Sequence, residues 1–180
     1  MDRNRKGKDV EDLKQYIRSI PDFPRRGILF RDITTLLNKK ERFTEVIDVL
    51  SERYSDKEID AVVAIESRGF IFGGALAYKL GAAMVPVRKK GKLPYRTLST
   101  TYSLEYGEDT LQVHEDAFQP GARVLLIDDL LATGGTMGAA VDLVKKLKGE
   151  IIEIAFIIEL SDLKGRARLK GFPIYSMVQY

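Results

Sequence analysis

Apolar residues recur at helical spacing at the start of the chain. Val10, Leu13, Ile17 and Ile20 predict a helix over residues 9–20, stopped by Pro21. The stretch PDFPRRGILFRD, rich in Pro and Gly, reads as an ordered loop entering a short strand at residues 28–30. A second helix is predicted over residues 40–54, with Phe43, Val46, Ile47 and Leu50 on one face. Strand and helix patterns then alternate. AVVAIES (61–67) reads as a buried strand, GFIFGGALAYKLG (69–81) as a helix closed by Gly81, and AAMVPVR (82–88) as a strand carrying Pro86. ARVLLIDD (122–129) is a third strand, residues 136–148 a helix, and EIIEIAFIIEL (150–160) a further strand. These strands are apolar nearly throughout, which is what a sheet covered on both faces requires. The pattern predicts an α/β fold with a doubly wound, mostly parallel sheet flanked by helices.

Residues 89–121 break that rhythm with a polar insertion. Leu98, Thr100, Tyr102, Leu104 and Tyr106 share one face of an alternating run, and Ser99, Thr101, Ser103 and Glu105 share the other. Gly107, Glu108 and Asp109 are read as the turn into TLQVH, where Leu111 and Val113 alternate again. The insertion predicts a β-hairpin flap with Glu105 on its polar face.

Composition narrows the setting. With 180 residues, 44% of them hydrophobic, one domain over 1–180 is the simplest expectation. There is no run of 18 apolar residues and no apolar signal-peptide core, so a soluble cytoplasmic protein with no membrane partner is expected. The absence of cysteine excludes thiol chemistry, and the single His114, read as a surface hairpin residue, excludes a multi-histidine metal site. The net charge of +3 lies mostly at the start: Arg3, Arg5, Lys6 and Lys8 against Asp2 and Asp9 contribute +2 of it. Residues 1–8 are therefore expected to be a solvated, disordered basic tail, and no nucleic-acid partner is expected.

The stretch VLLIDDLLATGGT (124–136) carries the chemistry. In an open α/β sheet, ligands bind outside the carboxyl ends of the strands, where Asp128 and Asp129 are expected. The loop after them leads into a helix, whose free N–H groups and positive dipole end favour an anion. Ala132, Gly134 and Gly135 allow a phosphate to approach the backbone, and Thr133 and Thr136 offer hydroxyl donors. Neither Gly-Lys-Ser/Thr nor Gly-x-Gly-x-x-Gly is present, so an ATPase loop or a dinucleotide site is not indicated. Two carboxylates beside a phosphate cradle suit ribose hydroxyls or a bound Mg²⁺, and hence a sugar phosphate.

This stretch resembles the phosphoribosyl-pyrophosphate signature of the type I phosphoribosyltransferases. IPDFPRRGILFRDIT, ESRGFIFG, and RKKGKLP followed by YSLEYG are similar, in order and spacing, to the adenine-using branch of that family from about residue 10 to 180. The chain departs from that branch in its basic tail and at Arg25 and Arg26. The resemblance implies the type I fold with an N-terminal hood segment, and the reaction adenine + phosphoribosyl pyrophosphate → AMP + pyrophosphate with Mg²⁺, in a homodimer. It assigns Glu105 and Arg68 to catalysis with Asp128 and Asp129, which hold the ribose hydroxyls directly or through the metal. The 5′-phosphate falls to Ala132, Thr133, Gly134, Gly135 and Thr136, and pyrophosphate to Glu66, Ser67, Arg68, Arg88, Lys89 and Lys92. Arg88 is the candidate to reach a partner's site. Leu29, Phe30 and Arg31 are the adenine contacts, and Tyr106 helps close the flap. Two other readings stay open: a phosphoribosyltransferase for another purine such as xanthine, and a non-catalytic ligand-sensing regulator on the same fold. The presence of Glu105 and the shortness of the basic tail weigh against the regulator.

Overall fold

The computed structural model describes residues 10–104 and 107–180; the basic tail expected at residues 1–8, and Glu105 and Tyr106, lie outside them. The chain divides into two compact units, one ending at Asp48 and one running from Val49 to Tyr180.

In the first unit a 3-10 helix, Val10–Tyr16, leads into strand β1 (Arg18–Pro21), followed by β2 (Leu29–Asp32) and a one-turn helix α1 (Thr34–Leu37). The helix predicted over residues 9–20 therefore ends early. From Arg18 onward the backbone pairs antiparallel with β2, in a register from Arg18↔Asp32 to Pro21↔Leu29, and the Arg18 guanidinium lies 3.3 Å from Asp32. That pairing also moves the second strand from the expected 28–30 to Leu29–Asp32. Asp32 then starts α1, accepting bonds from the Thr34 N–H at 2.9 Å and the Thr34 hydroxyl at 2.8 Å. Helix α2 (Lys40–Tyr54) follows, as its apolar face predicts, and the division between units falls within it.

The second unit holds β3 (Ala61–Ile65), α3 (Arg68–Leu80), β4 (Ala83–Lys89), β5 (Thr97–Leu104), β6 (Gly107–His114), β7 (Arg123–Leu131), α4 (Gly135–Lys146), β8 (Glu150–Glu159) and β9 (Ile174–Gln179). They form one seven-stranded sheet in the order β5-β6-β4-β3-β7-β8-β9. Strands β4, β3, β7, β8 and β9 run parallel, and β6 and β5 are antiparallel additions. All five residues of β3 are buried, as a central strand covered on both faces must be. Helix α4 packs Met137, Ala140, Leu143 and Val144 into the cluster of Val63, Leu126 and Phe156. On α3, Gly73 is what permits close approach to the strands, since a Cβ there would stand 2.5 Å from that of Ala64 and 3.2 Å from Ile127. Pro86 is tolerated because the carbonyl of its neighbour Val87 faces the β3 side, accepting from the Glu66 N–H, so residue 86 faces β6, which pairs with β4 only at Arg88 and Lys89.

Two further expectations change. The hairpin is an edge of the main sheet, and its turn is shorter than expected: Leu104 pairs with Gly107, Ser103 with Glu108 and Tyr102 with Asp109, so Gly107, Glu108 and Asp109 are already strand. The register is set by the matched faces, with Leu98 opposite Val113 and Thr100 opposite Leu111. Strand β9 goes unread in the sequence because IYSMVQ lacks a long apolar run; it is an edge strand, half-buried over its first residues.

Arg53, in α2, grips Glu153 in β8 through two bonds of 2.7 Å and lies 4.1 Å from the Tyr175 ring centroid. Burial raises the Glu153 carboxyl, but the donors and positive charges around it, Arg53 first among them, together outweigh it and hold its pKa below the ordinary value. A depressed carboxyl stabilises the fold above its unfolded pKa and loses that contribution as pH falls through the folded one. Glu153→Gln should therefore cost about 1–2 kcal/mol at pH 7, after allowance for the solvent around Arg53. In thermal melts, the gap from wild type should close below about pH 4. A gap that persists in acid would show that packing, not charge, is what the substitution removed.

Candidate active site

Strands β3 and β7 pair as far as Ala64 and Ile127; beyond that point β7 continues alone beside β8 to Leu131. Asp128 and Asp129 thus lie inside β7, not at its end as expected, but at the level where its neighbour β3 has stopped. This opens a crevice at the carboxyl ends of two parallel strands, the usual ligand position in such a sheet. Residues 66–69 leave β3 beside it. Gly69 allows the close fit, because a Cβ there would stand 2.9 Å from Asp128 Oδ1.

Asp129 is 4% exposed. Its backbone N–H donates to Asp128 Oδ1 at 2.8 Å, and its Oδ2 lies 3.0 Å from Arg68 Nε. That contact is one of charge, since Oδ2 has no aligned hydrogen-bond donor. Burial, then the charge of Asp129, pushes the Asp128 carboxyl well up; burial also raises Asp129, against the pull of Arg68.

After β7, Gly134 caps α4 in the left-handed conformation at φ 80°, and no acidic residue stands in the first helical turn. The N–H groups of that turn are free of helical partners. Thr133 is exposed, and the Thr136 hydroxyl donates to the Tyr102 hydroxyl at 3.3 Å. Gly134 also has a packing duty that sequence reasoning missed: a Cβ there would come within 2.5 Å of the carbonyl of Gly165 and 3.4 Å of Arg168 Cβ. Gly165 opens a 3-10 turn, Gly165–Leu169, that seats the loop from behind.

The basic residues meet carboxylates of their own chain. Glu66, its side chain 6% exposed, binds Arg88 Nε at 3.0 Å and Lys92 Nζ at 2.6 Å, and Arg88 also donates to the Lys92 carbonyl. Glu66 is thus the counter-ion of two candidate pyrophosphate contacts. Burial pushes its pKa up, but Lys92 and the other donors outweigh this and hold it low. Lys89 pairs with Asp109 of the hairpin at 3.0 Å, a residue the sequence reading spent on a turn.

The structure thus gathers Arg68 with Asp128 and Asp129, and Glu66 with Arg88 and Lys92. Leu29, Phe30 and Arg31 belong to the first unit: Leu29 is 47% exposed, Phe30 meets Phe23 edge-on at 5.1 Å, and Arg31 donates to the Ser19 hydroxyl. Glu105 and Tyr106 lie outside the described residues. Among the described residues no cluster of three or more metal-ligating side chains occurs.

Residues 32–177 match the phosphoribosyl transferase domain. The chain is 58% identical to the adenine phosphoribosyltransferase of Chloroflexus aurantiacus over 94% of its own length and 98% of that protein. It belongs to the adenine phosphoribosyltransferase family. Solved members of this family share the fold. The adenine phosphoribosyltransferase from Thermoanaerobacter pseudethanolicus superposes with a TM-score of 0.92 at 48% identity, covering 95% of this chain and 99% of that one. The enzyme from Saccharomyces cerevisiae, complexed with adenine and an imino-altritol bisphosphate, gives 0.89 at 39% identity, covering 94% and 98%. The matched residues 32–177 include Asp128, Asp129 and the loop that follows.

Proposed function

We propose that residues 1–180 act as one phosphoribosyltransferase unit, transferring the 5-phosphoribosyl group of phosphoribosyl pyrophosphate to adenine and releasing AMP and pyrophosphate. The carrying observation is the Asp128–Asp129 pair, half-buried and buried in turn, set directly before a glycine loop and a helix N-terminus free of acidic side chains. The 5′-phosphate sits on the N–H groups of residues 132–136, with Thr133 and Thr136 as hydroxyl donors. Asp128 and Asp129 accept the ribose hydroxyls. Arg68, Arg88, Lys89 and Lys92, with the backbone of Glu66 and Ser67, receive the pyrophosphate. As the C1–O bond breaks, positive charge grows on the sugar and negative charge on the leaving group, so these fixed charges act mainly by position and electrostatics. The base N9 takes C1, and the purine loses a proton. Carried over from the family pattern, Leu29, Phe30 and Arg31 read the base, Glu105 faces N7 and takes that proton, and Tyr106 excludes water.

Mg²⁺ fits this donor set: two carboxylates with hard oxygens, one of them with an orphaned Oδ2, and among the described residues no cluster that would cage the ion, which suits one held chiefly by substrate oxygens. When bound, it neutralises charge on the pyrophosphate. Among the described residues no helix is long and apolar enough to cross a membrane, in keeping with purine salvage in the cytoplasm. We further propose a homodimer. It is supported by α3, where Ile71 and the 88% exposed Tyr78 share one face with Gly74. Sedimentation at micromolar concentration tests it, and a 20.3 kDa species would refute it.

Pyrophosphate release with adenine, guanine, hypoxanthine and xanthine tests the reaction itself. Turnover with adenine alone is expected, and equal turnover with xanthine would overturn the assignment. Glu105→Leu should lower kcat by about 10²-fold, within the range for loss of a general acid or base, with little change in the KM for phosphoribosyl pyrophosphate. Glu108→Leu is the matched control. A wild-type kcat for Glu105→Leu would move proton handling to another group.

A further inference from the structure

Three of the four cations assigned to pyrophosphate are paired with Asp129 of β7 or with Glu66 just beyond β3: Arg68 with Asp129, and Arg88 and Lys92 with Glu66. The fourth pair is different in kind. Lys89 closes β4 opposite Leu111 of β6, and Asp109, two residues back along β6, takes its ammonium at 3.0 Å. The two partners are unequally held. Asp109 is fixed by the Thr110 N–H, which donates to its Oδ1 at 2.8 Å, and by its place across the ladder from Tyr102. Its side chain is 22% exposed, whereas that of Lys89 is 54% exposed on a flexible four-carbon stem. The ammonium has more freedom than the carboxylate to turn toward a stronger anion.

We propose that Asp109 is a positioning residue that acts as an internal stand-in for a pyrophosphate oxygen, holding Lys89 while no phosphate is bound and yielding it when pyrophosphate, free or within phosphoribosyl pyrophosphate, arrives. The inference rests on the function proposed above. Its consequence follows from competition: the affinity of a ligand is reduced by the fraction of protein in which its binding group is free. A salt bridge this exposed is marginal but favourable, leaving Lys89 free for about a tenth to a third of the time. Asp109 thereby weakens the hold on pyrophosphate about 3- to 10-fold and eases product departure.

Calorimetry with pyrophosphate and Mg²⁺ on the full chain tests this, in the wild type, Asp109→Asn, Lys89→Gln and the double variant. Asp109→Asn should bind pyrophosphate about 3- to 10-fold more tightly and Lys89→Gln more weakly, with the double variant within about twofold of Lys89→Gln. AMP, titrated in parallel, should change by less than about twofold throughout. Asp109→Ser should behave as Asp109→Asn does, and is read in its place if the asparagine variant fails to fold. Unchanged or weaker pyrophosphate binding in Asp109→Asn overturns the inference. So does equal tightening in the Lys89→Gln background, or for AMP, since either would mark a general field effect. A wild type that neither binds pyrophosphate nor releases it with adenine sinks the proposed function instead, so the two failures are distinguishable.

Discussion

Asp128→Asn combined with Asp129→Asn is expected to lower kcat/KM for phosphoribosyl transfer by about 10³-fold or more, while the melting temperature of the ligand-free chain stays level or rises. The two halves of this result have one cause. Asp129 is 4% exposed, and its Oδ2 has no hydrogen-bond donor although Arg68 lies 3.0 Å away. Two adjacent carboxylates in the low-dielectric end of a sheet repel each other and lose hydration, which no gain in packing requires. Asparagine keeps the shape and keeps the Oδ1 that accepts the Asp129 N–H at 2.8 Å, while removing the charge. Folding is relieved of a cost and the site loses the acceptors that its sugar hydroxyls need, the usual trade between stability and activity. Initial rates of pyrophosphate release and thermal melts on the same samples check both halves. Near-normal kcat/KM would remove the ribose assignment, and a fall of more than about 5 °C would make the pair structural.

The strands and helices that bury a continuous face were legible because burial writes itself into hydrophobic periodicity. AVVAI of β3, the apolar half of β7 and the face of α4 all fall where the pattern puts them. What periodicity misses is pairing between segments distant in sequence. The early end of the first helix depends on Arg18 meeting Asp32, and the shorter hairpin turn depends on Tyr102 meeting Asp109; neither is encoded in a local window. The same limit applies to the site. The carboxylate pair and the glycine loop are contiguous in sequence and were readable as a motif, whereas the ion pairs that set the charge state of the basic residues span 26 residues between Glu66 and Lys92 and 61 between Arg68 and Asp129. Alternation along residues 97–114 does contain a clue, since continuing the Leu111 and Val113 face back by two puts Asp109 on it. Reading Gly107 as the start of a turn discarded that clue.

Gly134→Val is the second change expected to have a very large effect, for a reason that differs from the one its sequence suggests. From the motif alone, a side chain at this position meets the bound phosphate. In the fold, the Cβ of residue 134 points the other way, to within 2.5 Å of the Gly165 carbonyl, and the backbone sits at φ 80°, where a β-branched residue is strained. The loop is held in place from behind by a backbone carbonyl that has no slack of its own, because Gly165 is so tightly packed that a Cβ there would overlap the Ala132 carbonyl. Valine must therefore push residues 132–136 toward the side on which the phosphate is to lie, disturbing the N–H groups that define the cradle. The expected result is loss of phosphoribosyl pyrophosphate affinity by about 10²-fold or more, from the combined loss of several charge-assisted bonds, together with a lower melting temperature. Gly134→Ala should show a smaller version of both effects. Gly138→Ala, in the same helix with nothing within 4 Å of its Cβ, should bind normally and melt at the same temperature or slightly higher. Calorimetry with ribose 5-phosphate separates the possibilities: it should weaken in step with phosphoribosyl pyrophosphate, because the two share only the ribose and 5′-phosphate ends of the site. If Gly134→Val lowers the melting temperature but binds ribose 5-phosphate as the wild type does, the loop tolerates displacement and the phosphate is held elsewhere.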